Sequence, residues 1–395
     1  MKKLGHSAIL ILVNHDVVIY NFRLELVERL LADGYEVHIS SPYGERIDEL
    51  IALGAVYHEI TIDRHGMNPV KDFFILMEYK KLCFSIRPIA VLGYTIKPNI
   101  YGAMVAKWVG VPFIANITGL GTAVENDTWK QKITVLLYKI AFTKVQRVFF
   151  QNKENREFFR RNRIALDKYK LLPGSGVNLD RYPVSPLPEC GDGKTGSPVK
   201  FAFISRIMKE KGIEQYLSAA ELVKKKYPAT EFHVCGYCET EYHGRLEEMN
   251  KTGIVKYHGM IHDVSNFISS IHCVVHPTYY PEGLSNILLE SCSSGRAIIT
   301  TERSGCREVI IDKVNGYMVP EKNVKELVLA IERYIKLSKK EKTAMGLEGR
   351  KFVERNFNRQ IVVDNYMEEI YIAEKACKMC SRKAMSRKYV KLKNS

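Results

Sequence analysis

Short apolar runs alternate with helical segments along this chain of 395 residues, and the alternation constrains its fold more than any other feature. Helical segments such as 22–31 and 99–108 separate the early runs, and a second series begins at Val199. Strands that alternate with helices predict parallel sheets covered on both faces. We predict strands at 7–13, 35–40, 56–60, 89–93, 112–116, 147–150, 199–204, 231–234, 254–258, 271–275, 297–300 and 317–319.

A segment rich in proline and glycine separates the two series. Residues 182–198 read YPVSPLPECGDGKTGSP and show no apolar period, as is typical of a linker between domains. The chain is also longer than one hydrophobic core usually fills. We therefore predict a first domain over 1–181, a linker over 182–198 and a second domain over 199–358.

Two glutamates, Glu282 and Glu290, stand on either side of a predicted junction between a loop and a helix. The strand 271–275 ends before Pro281-Glu282-Gly283, and a helix begins near Ser285. Ligands of open α/β sheets bind outside the carboxyl ends of the strands. The sequence therefore predicts a ligand site here.

The predicted ligand combines an anion with hydroxyl groups. Backbone N–H groups in the first helical turn, around Leu284, Ser285 and Asn286, favour an anion such as a diphosphate. Two carboxylates beside an anion suit hydroxyl groups, and a sugar nucleotide supplies both kinds of group.

Three further elements lie at the ends of predicted strands in the second domain, two after a strand and the third at the start of the last strand. Ser205-Arg206-Ile207 closes the strand 199–204, and Lys211-Gly212 comes a short turn later. The other two are Ser304-Gly305-Cys306-Arg307-Glu308 and Asn315-Gly316-Tyr317. Together these segments resemble the S-R-x-x-x-x-K-G, E-x7-E, G-x-x-E and N-G-x elements of the retaining glycosyltransferases of family 4.

The resemblance implies the GT-B fold, an α/β architecture of two Rossmann-like, doubly wound parallel-sheet domains facing a central cleft. It implies an acceptor domain first and a nucleotide-sugar donor domain second. It also implies a final helix, over 359–380, that crosses back to the first domain, and residues 381–395 are then a basic tail.

The resemblance further implies a role for each site residue. Arg206 and Lys211 would stabilise the leaving diphosphate, Glu282 would bind the donor hexose, and Glu290 would bind the ribose hydroxyls. The remaining donor-binding candidates are Ser205, Gly283, Leu284, Ser285 and Asn286. Retention would proceed by front-face attack without a covalent intermediate. The sequence lacks a D-x-D motif, so we expect no metal and no cofactor besides the donor.

The first domain lacks a glycine-rich loop after its first strand. Tyr20-x-Phe22-Arg23 and the T-G-L-G turn at Thr118 and Gly119 instead resemble the capsule and cell-surface polysaccharide branch of family 4. Many family members carry a histidine near this position that contacts the donor sugar, and in this sequence the candidates for that role are Asn116 and Thr118. His15 and Asp16 are candidates for the acceptor side, where they could take the acceptor proton. The acceptor and cleft candidates are thus His15, Asp16, Tyr20, Arg23, Asn116, Thr118 and Gly119.

The net charge of +15 is concentrated in two places. Between Trp129 and Lys170 there are twelve Lys or Arg against three acids, and from Lys375 to the end there are eight against none. The first segment mixes cations with apolar residues at helical spacing, which suits either an anionic membrane surface or a helix that faces the core. We expect the tail to be solvated and disordered, and a membrane to attract it. No fold typical of nucleic-acid binding is visible, so we expect no nucleic acid partner.

The chain should be cytoplasmic. No apolar run reaches the roughly 18 residues that cross a bilayer, and the run at 8–13 is too short for a signal sequence. Nine scattered cysteines do not form a disulfide framework, and we expect reduced thiols. The C-x-x-C pairs at Cys235/Cys238 and Cys377/Cys380 lack the compact spacing of a zinc site.

The sequence favours a retaining transferase at the inner face of the cell membrane. It would move a hexosyl or N-acetylhexosaminyl group from a UDP-sugar to a glycan linked to undecaprenyl diphosphate, in capsule, exopolysaccharide or O-antigen synthesis. UDP rests on the family resemblance alone. Two alternatives remain open: an isomerase of the UDP-N-acetylglucosamine 2-epimerase type, and a silent partner that binds a sugar nucleotide.

Overall fold

The structure is a computed structural model that describes residues 7–62, 69–119, 129–238, 240–281 and 283–393, without the side chains of residues 130, 240 and 380–393. Its contacts divide the chain into two compact units. The first unit comprises Met1–Ser175 and Gln360–Ser395, and the second comprises Gly176–Arg359.

The first unit is built on a sheet of seven parallel strands in the order β3-β2-β1-β4-β5-β6-β7. Its central strands are apolar without interruption, because helices cover both faces of a parallel sheet. The strands are β1 (Ala8–Leu12), β2 (Glu36–Ser41), β3 (Val56–Glu59), β4 (Ala90–Tyr94), β5 (Phe113–Ile117), β6 (Arg147–Phe150) and β7 (Tyr169–Leu171).

The second unit contains a sheet of six parallel strands in the order β10-β9-β8-β11-β12-β13. The carboxyl end of β8 therefore lies beside that of β11, which places the loops after these two strands next to each other. The strands are β8 (Val199–Ile204), β9 (Thr230–Cys235), β10 (Lys256–Tyr257), β11 (Cys273–His276), β12 (Ala297–Thr301) and β13 (Gly316–Val319).

Helices connect the strands, as a parallel sheet requires. In the first unit they are α1 (Asp16–Phe22), α2 (Leu24–Ala32), α3 (Ile47–Ala52), α4 (Pro69–Ile86), α5 (Ile96–Val109), α6 (Trp129–Ala141) and α7 (Lys153–Arg161). In the second unit they are α8 (Ile213–Lys226), α9 (His243–Lys251), α10 (Val264–Ser269), α11 (Asn286–Ser293), α12 (Val324–Lys336) and α13 (Lys339–Asn356), and α14 (Arg359–Lys393) ends the described chain. Among the described residues, no helix is both long enough and apolar enough to span a bilayer.

Each sheet separates two hydrophobic clusters. Successive side chains of a strand point to opposite faces, so Ile9 and Ile11 join one cluster while Leu10 and Leu12 join the other. In the second unit, Phe201 packs on one face and Ala202 on the other. This pattern is that of the GT-B α/β fold expected from the resemblance, with two Rossmann-like domains.

Three expectations differ from the structure. Strand β7 was missed because it is a short edge strand within a basic stretch. The expected linker 182–198 belongs to the second unit. The tail is helical in its backbone to Lys393 and not disordered, since it is rich in helix-forming residues and contains no proline or glycine.

Arg296 explains why the expected linker does not run free. Its side chain is fully buried and donates six hydrogen bonds, including 2.8 Å to the Ser185 carbonyl and 3.0 Å to the Pro186 carbonyl. The others reach the Ser185 hydroxyl and the carbonyls of Ile268, Ser269 and Ser294. A buried guanidinium needs partners, and this segment supplies three of them.

We expect Arg296→Met to lower the free energy of unfolding of the second unit by about 3 kcal/mol, because several buried carbonyls lose their donor. Calorimetry should show a fall in Tm of about 6–12 °C. Arg333→Met, at an exposed position of α12, is the matched control and should change Tm by less than about 2 °C. Equal Tm values for the two variants would contradict this role of Arg296.

Candidate functional site

The carboxyl ends of β8 and β11 carry the predicted cations and the residues that orient them. Ser205 and Arg206 directly follow β8, and Lys211 ends the short 3-10 turn Lys209–Lys211. Arg206 is exposed at this edge, whereas Lys211 is buried. The backbone after β8 is fixed by the Ser205 N–H, which donates to the Cys235 carbonyl at 3.1 Å.

The Glu210 carbonyl ties the loop after β8 to the loop after β11. It accepts the Tyr279 N–H at 2.8 Å and the Thr278 hydroxyl at 3.2 Å. Gly212 brings the two loops closer still, since a Cβ there would lie 2.1 Å from the Pro277 carbonyl oxygen. Gly212 also has a φ of +82°, which L residues rarely adopt. The K-G pair of the motif therefore needs its glycine for backbone reasons.

Tyr280 brings the two predicted cations together. The Arg206 guanidinium carbon lies 5.6 Å from the centre of the Tyr280 ring, and the Lys211 Nζ lies 4.8 Å from the same centre. The Tyr280 N–H donates to the Thr278 hydroxyl at 3.1 Å, which fixes the backbone of the tyrosine. Cations within about 6 Å of a ring centre are attracted to its face. Both cations thus contact the same aromatic ring.

The helix α11 begins six residues after Tyr280. Ser285 is its N-cap, but the serine side chain makes no capping hydrogen bond, and its own N–H donates to the Gly305 carbonyl at 2.8 Å. Gly283, Leu284 and Ser285 are buried, and Asn286 is half-buried. The first-turn N–H groups of α11 carry the positive end of the helix dipole, which suits a phosphate.

Glu308 of the G-x-x-E element has a structural task. Its carboxylate accepts the Gly305 N–H at 2.7 Å and the Ser304 hydroxyl at 3.3 Å. Because Gly305 in turn receives the Ser285 N–H, Glu308 fixes the loop that holds the start of α11.

Glu290 lies in the second turn of α11, and polar groups surround it. Burial raises the pKa of the Glu290 carboxyl, and the charges of Arg359 and Arg181 and a hydrogen bond from Tyr182 offset part of the rise. Burial and the neighbouring Glu290 also raise the pKa of the Tyr182 phenol. The side chain remains half-buried by surface area, so a ligand hydroxyl can reach it.

Glu282, the other predicted carboxylate, lies outside the described residues. Its role in binding the donor hexose stays a prediction. In the part of the chain that the structure describes, no group of three or more His, Cys, Asp or Glu side chains could hold a metal ion. The eight cysteines with described side chains, which include Cys235, Cys238 and Cys377, are free thiols.

His15 and Asp16 form a close pair at the carboxyl end of β1. The His15 Nδ1 lies 2.6 Å from an Asp16 carboxylate oxygen, and the Val17 N–H lies 3.3 Å from the same nitrogen. We assign the tautomer from the shorter contact, the one with Asp16. A carboxylate can only accept a hydrogen bond, so Nδ1 is assigned the proton. The Nε2 lone pair of this partly exposed ring then remains available to accept a proton.

Asp16 is held in place by backbone groups of the next loop. It is almost fully buried, and its second oxygen accepts the Arg46 N–H at 2.8 Å. Gly44 leaves room for it, since a Cβ there would lie 2.4 Å from the carboxylate.

Two further acceptor candidates, Arg23 and Asn116, are buried within the first unit, and their role at the acceptor side stays a prediction. The Arg23 side chain packs against the rings of Tyr94 and Tyr366, with its guanidinium carbon 5.2 Å and 5.5 Å from their centres. Asn116 lies within β5 and donates to the Tyr366 hydroxyl at 2.6 Å. The sequence could not show this, because Tyr366 follows Asn116 by 250 residues.

The other three acceptor candidates lie nearer the surface of the first unit. Tyr20 is half-buried, and the Arg46 guanidinium carbon lies 4.7 Å from the centre of its ring. Thr118 and Gly119 follow β5 directly and are half-buried. The rest of the T-G-L-G turn lies outside the described residues.

Sequence reasoning missed four residues of this site. Tyr280 stands two positions before Glu282, and this position in the loop after β11 could have identified it as a site residue. Arg181 and Tyr182 were assigned to a domain end and a linker, and Arg359 to the start of the last helix. Nothing in their spacing links them to Glu290.

Two family models match the chain. Residues 8–152 match "Glycosyl transferase 4-like", and residues 192–352 match "Glycosyl transferases group 1". Together they cover more than half of the chain. The chain belongs to the family 4-like glycosyltransferases of the GT-B fold.

Curated relatives of this glycosyltransferase come from several bacteria. It is 27% identical to N,N'-diacetylbacillosaminyl-diphospho-undecaprenol alpha-1,3-N-acetylgalactosaminyltransferase of Campylobacter jejuni, over 78% of this chain and 84% of the relative. It is 22% identical to the capsular polysaccharide biosynthesis glycosyltransferase CapM of Staphylococcus aureus, over 87% of this chain and 92% of the relative.

Solved structures share the fold of this glycosyltransferase. A Rickettsia africae glycosyltransferase superposes with a TM-score of 0.77 at 17% identity, over 94% of this chain and 99% of that one. Anabaena HepE, in complex with UDP and glucose, superposes with a TM-score of 0.76 at 14% identity, over 93% of this chain and all of that one.

Gly212→Ala tests the contact that joins the two loops. The new Cβ would collide with the Pro277 carbonyl, so the turn that carries Lys211 should move. The apparent affinity for UDP, derived from thermal shifts, should therefore fall at least about fivefold. Gly253→Ala is the matched control: its φ is +70°, and no atom lies within 4 Å of the added Cβ. Thermal shifts with UDP should be normal in Gly253→Ala. A normal shift in Gly212→Ala would show that the contact does not shape the site.

Proposed function

We propose that this glycosyltransferase moves a hexosyl or N-acetylhexosaminyl group from a UDP-sugar to a lipid-linked glycan, with retention of anomeric configuration and without a metal ion. The acceptor hydroxyl oxygen bonds to the anomeric carbon on the face from which the diphosphate leaves with the bonding electrons. The acceptor proton passes to the departing diphosphate. We place the reaction at the inner face of the cell membrane, in capsule, exopolysaccharide or O-antigen synthesis.

The observation that carries the proposal is the position of Arg206 and Lys211 against the ring of Tyr280, six residues before the first residue of α11. Negative charge grows on the phosphate oxygens as the bond to the sugar breaks, and fixed cations stabilise it. Two cations and a helix N-terminus supply positive charge without a metal ion, which supports metal independence.

The donor proposal joins this anion site to Glu290. A carboxylate in the second turn of α11 can accept the two ribose hydroxyls while the diphosphate lies at the start of the helix. Support for uridine comes from HepE, which has the same fold and was solved with UDP and with UDP-glucose.

The acceptor proposal rests on the relatives and on the first unit. The Campylobacter jejuni relative is named for an acceptor that carries a diphospho-undecaprenol group, and CapM is named for capsular polysaccharide synthesis. His15, oriented by Asp16, is our candidate for contact with the acceptor hydroxyl. Attraction to an anionic membrane would come from the basic stretch between Trp129 and Lys170 and from the tail.

An epimerase of the same fold is the alternative that needs a direct test. Such an isomerase would also bind a UDP-sugar, yet it would release an epimer without any acceptor. The S-R-x-x-x-x-K-G and E-x7-E elements favour transfer, and the match of both halves of the chain to glycosyltransferase models supports it.

A turnover assay with Arg206→Ala tests the proposed transfer. Wild-type protein should release UDP only when a lipid-linked acceptor is present, and Arg206→Ala should lower that rate about a hundredfold or more with little change in protein stability. Arg245→Ala changes a cation on helix α9 outside the site and is the control. Formation of an epimer without acceptor, or a wild-type rate in Arg206→Ala, would overturn the proposal.

The raised pKa of Glu290 predicts a pH dependence of nucleotide binding. As the pH falls through the raised pKa, the carboxyl gains a proton and loses acceptor capacity for the ribose hydroxyls. UDP affinity should therefore fall on acidification, and the fall should begin at a higher pH than it would for an ordinary glutamate. Calorimetric titrations should show a smaller fall for Glu290→Gln. UDP itself titrates in both experiments, so the difference between the two proteins reports Glu290. Parallel pH profiles would exclude Glu290 from the nucleotide site.

A further inference from the structure

Helix α4 presents apolar side chains to solvent along one stripe. Five large apolar residues of this helix are exposed, with Phe74 at 63% and Phe84 at 60% of their full surface. Their spacing of three, four and seven residues places them on one side of the helix. The stripe consists of Val70, Phe73, Phe74, Met77 and Phe84.

The same helix already fills the core with its other side. Ile75, Tyr79 and Cys83 are buried and belong to the hydrophobic cluster on that face of the sheet. A helix that is apolar all round normally lies inside a protein, whereas α4 leaves half of its apolar surface open. An exposed apolar surface of this extent is typical of an interaction site.

Neighbouring helices continue the exposed apolar surface. Helix α4 packs beside α5, and α5 packs beside α6, so the three helices form one layer over the sheet. Exposed on α5 and α6 are Trp108, Trp129, Leu136 and Ile140. Tryptophan at the edge of an apolar surface suits the boundary between lipid and water.

The charged residues around this apolar surface indicate which kind of partner it can bind. Six basic side chains of these helices and of the residues that directly follow them are exposed: Lys71, Lys81, Arg87, Lys132, Lys139 and Lys144. Only two acids occur in the described parts of 69–110 and 129–144. Asp72 is buried and pairs with Lys97 at 2.9 Å, and Glu78 lies 4.0 Å from the Lys81 Nζ. The described surface is therefore apolar and strongly positive.

We propose that this three-helix surface, formed by α4, α5 and α6, docks on an anionic lipid bilayer with the α4 stripe inserted among the head groups. This docking proposal rests on the proposed function, because a lipid-linked acceptor lies in such a bilayer. A basic surface attracts anionic lipid, and its apolar side chains bury themselves at the head-group boundary. A second copy of this chain would bring like charges together, which opposes pairing of two such surfaces.

Co-flotation of the full-length protein with vesicles tests the docking. The vesicles contain phosphatidylcholine alone or with about 30% phosphatidylglycerol. Wild-type protein should float with the anionic vesicles, and the double variant Phe73→Ser, Phe74→Ser should partition at least about tenfold less. The matched control is Ile51→Ser, Leu53→Ser, which removes two exposed apolar residues at the end of α3 in the same unit. The control should float like wild type.

A charge variant separates lipid attraction from a generic apolar effect. Lys132→Glu, Lys139→Glu should remove the preference for anionic over neutral vesicles. Failure of wild-type protein to float, or equal flotation of the phenylalanine variant and its control, would overturn the proposal. Light scattering that shows a dimer lost only in the phenylalanine variant, without any flotation, would assign the surface to a second copy and overturn it as well.

Failure of the docking is distinguishable from failure of the proposed function. With a water-soluble acceptor analogue and no vesicles, Phe73→Ser, Phe74→Ser should transfer sugar at the wild-type rate. Absent transfer in every protein would count against the proposed function, while unchanged transfer with unchanged flotation would count against the docking surface alone.

Discussion

The site of the second unit depends on one carbonyl oxygen, that of Glu210, and on the missing side chain of Gly212. The carbonyl receives two donors from the loop after β11, and the glycine lets that loop approach to within van der Waals contact. This contact fixes the distance between the cations of one loop and the aromatic ring of the other. The contacts of Arg206 and Lys211 with Tyr280 therefore depend on how these two loops meet.

Backbone contacts also position the helix that carries Glu290. Glu308 holds Gly305, Gly305 holds Ser285, and Ser285 begins the helix that carries Glu290. Segments from both ends of the second unit then surround the Glu290 carboxylate, because Val177 and Arg359 are joined by a hydrogen bond of 3.0 Å. The polar groups around Glu290 thus depend on where the chain enters and leaves this unit.

The sequence allowed prediction of the parts that rest on local patterns. Twelve of the strands, the break after β11 and the start of α11 near Ser285 follow from apolar runs, proline and glycine. Arg206 and Lys211 were predicted from the order of the family motifs. Their shared contact with Tyr280 is visible only in the structure.

The missed features depend on pairings between distant residues. Arg296 binds the segment at Ser185, more than a hundred residues earlier in the chain. This contact explains why the expected linker packs as part of the second unit. Tyr366 contacts Asn116 and Arg23, so the surroundings of these two candidates depend on a residue about 250 or more positions later in the chain. The exposed stripe of α4 was also missed, because a helix that is apolar on two sides has no clear amphipathic period.

Hydrogen exchange with and without UDP would test the central claim most directly, namely that the second unit holds the nucleoside diphosphate between Arg206, Lys211 and the start of α11. Exchange reports the backbone N–H groups themselves, and bound ligand protects those that it contacts or rigidifies. We predict protection in residues 205–212 and 284–290 on addition of UDP. Protection elsewhere in the chain with none in these two segments would contradict the account.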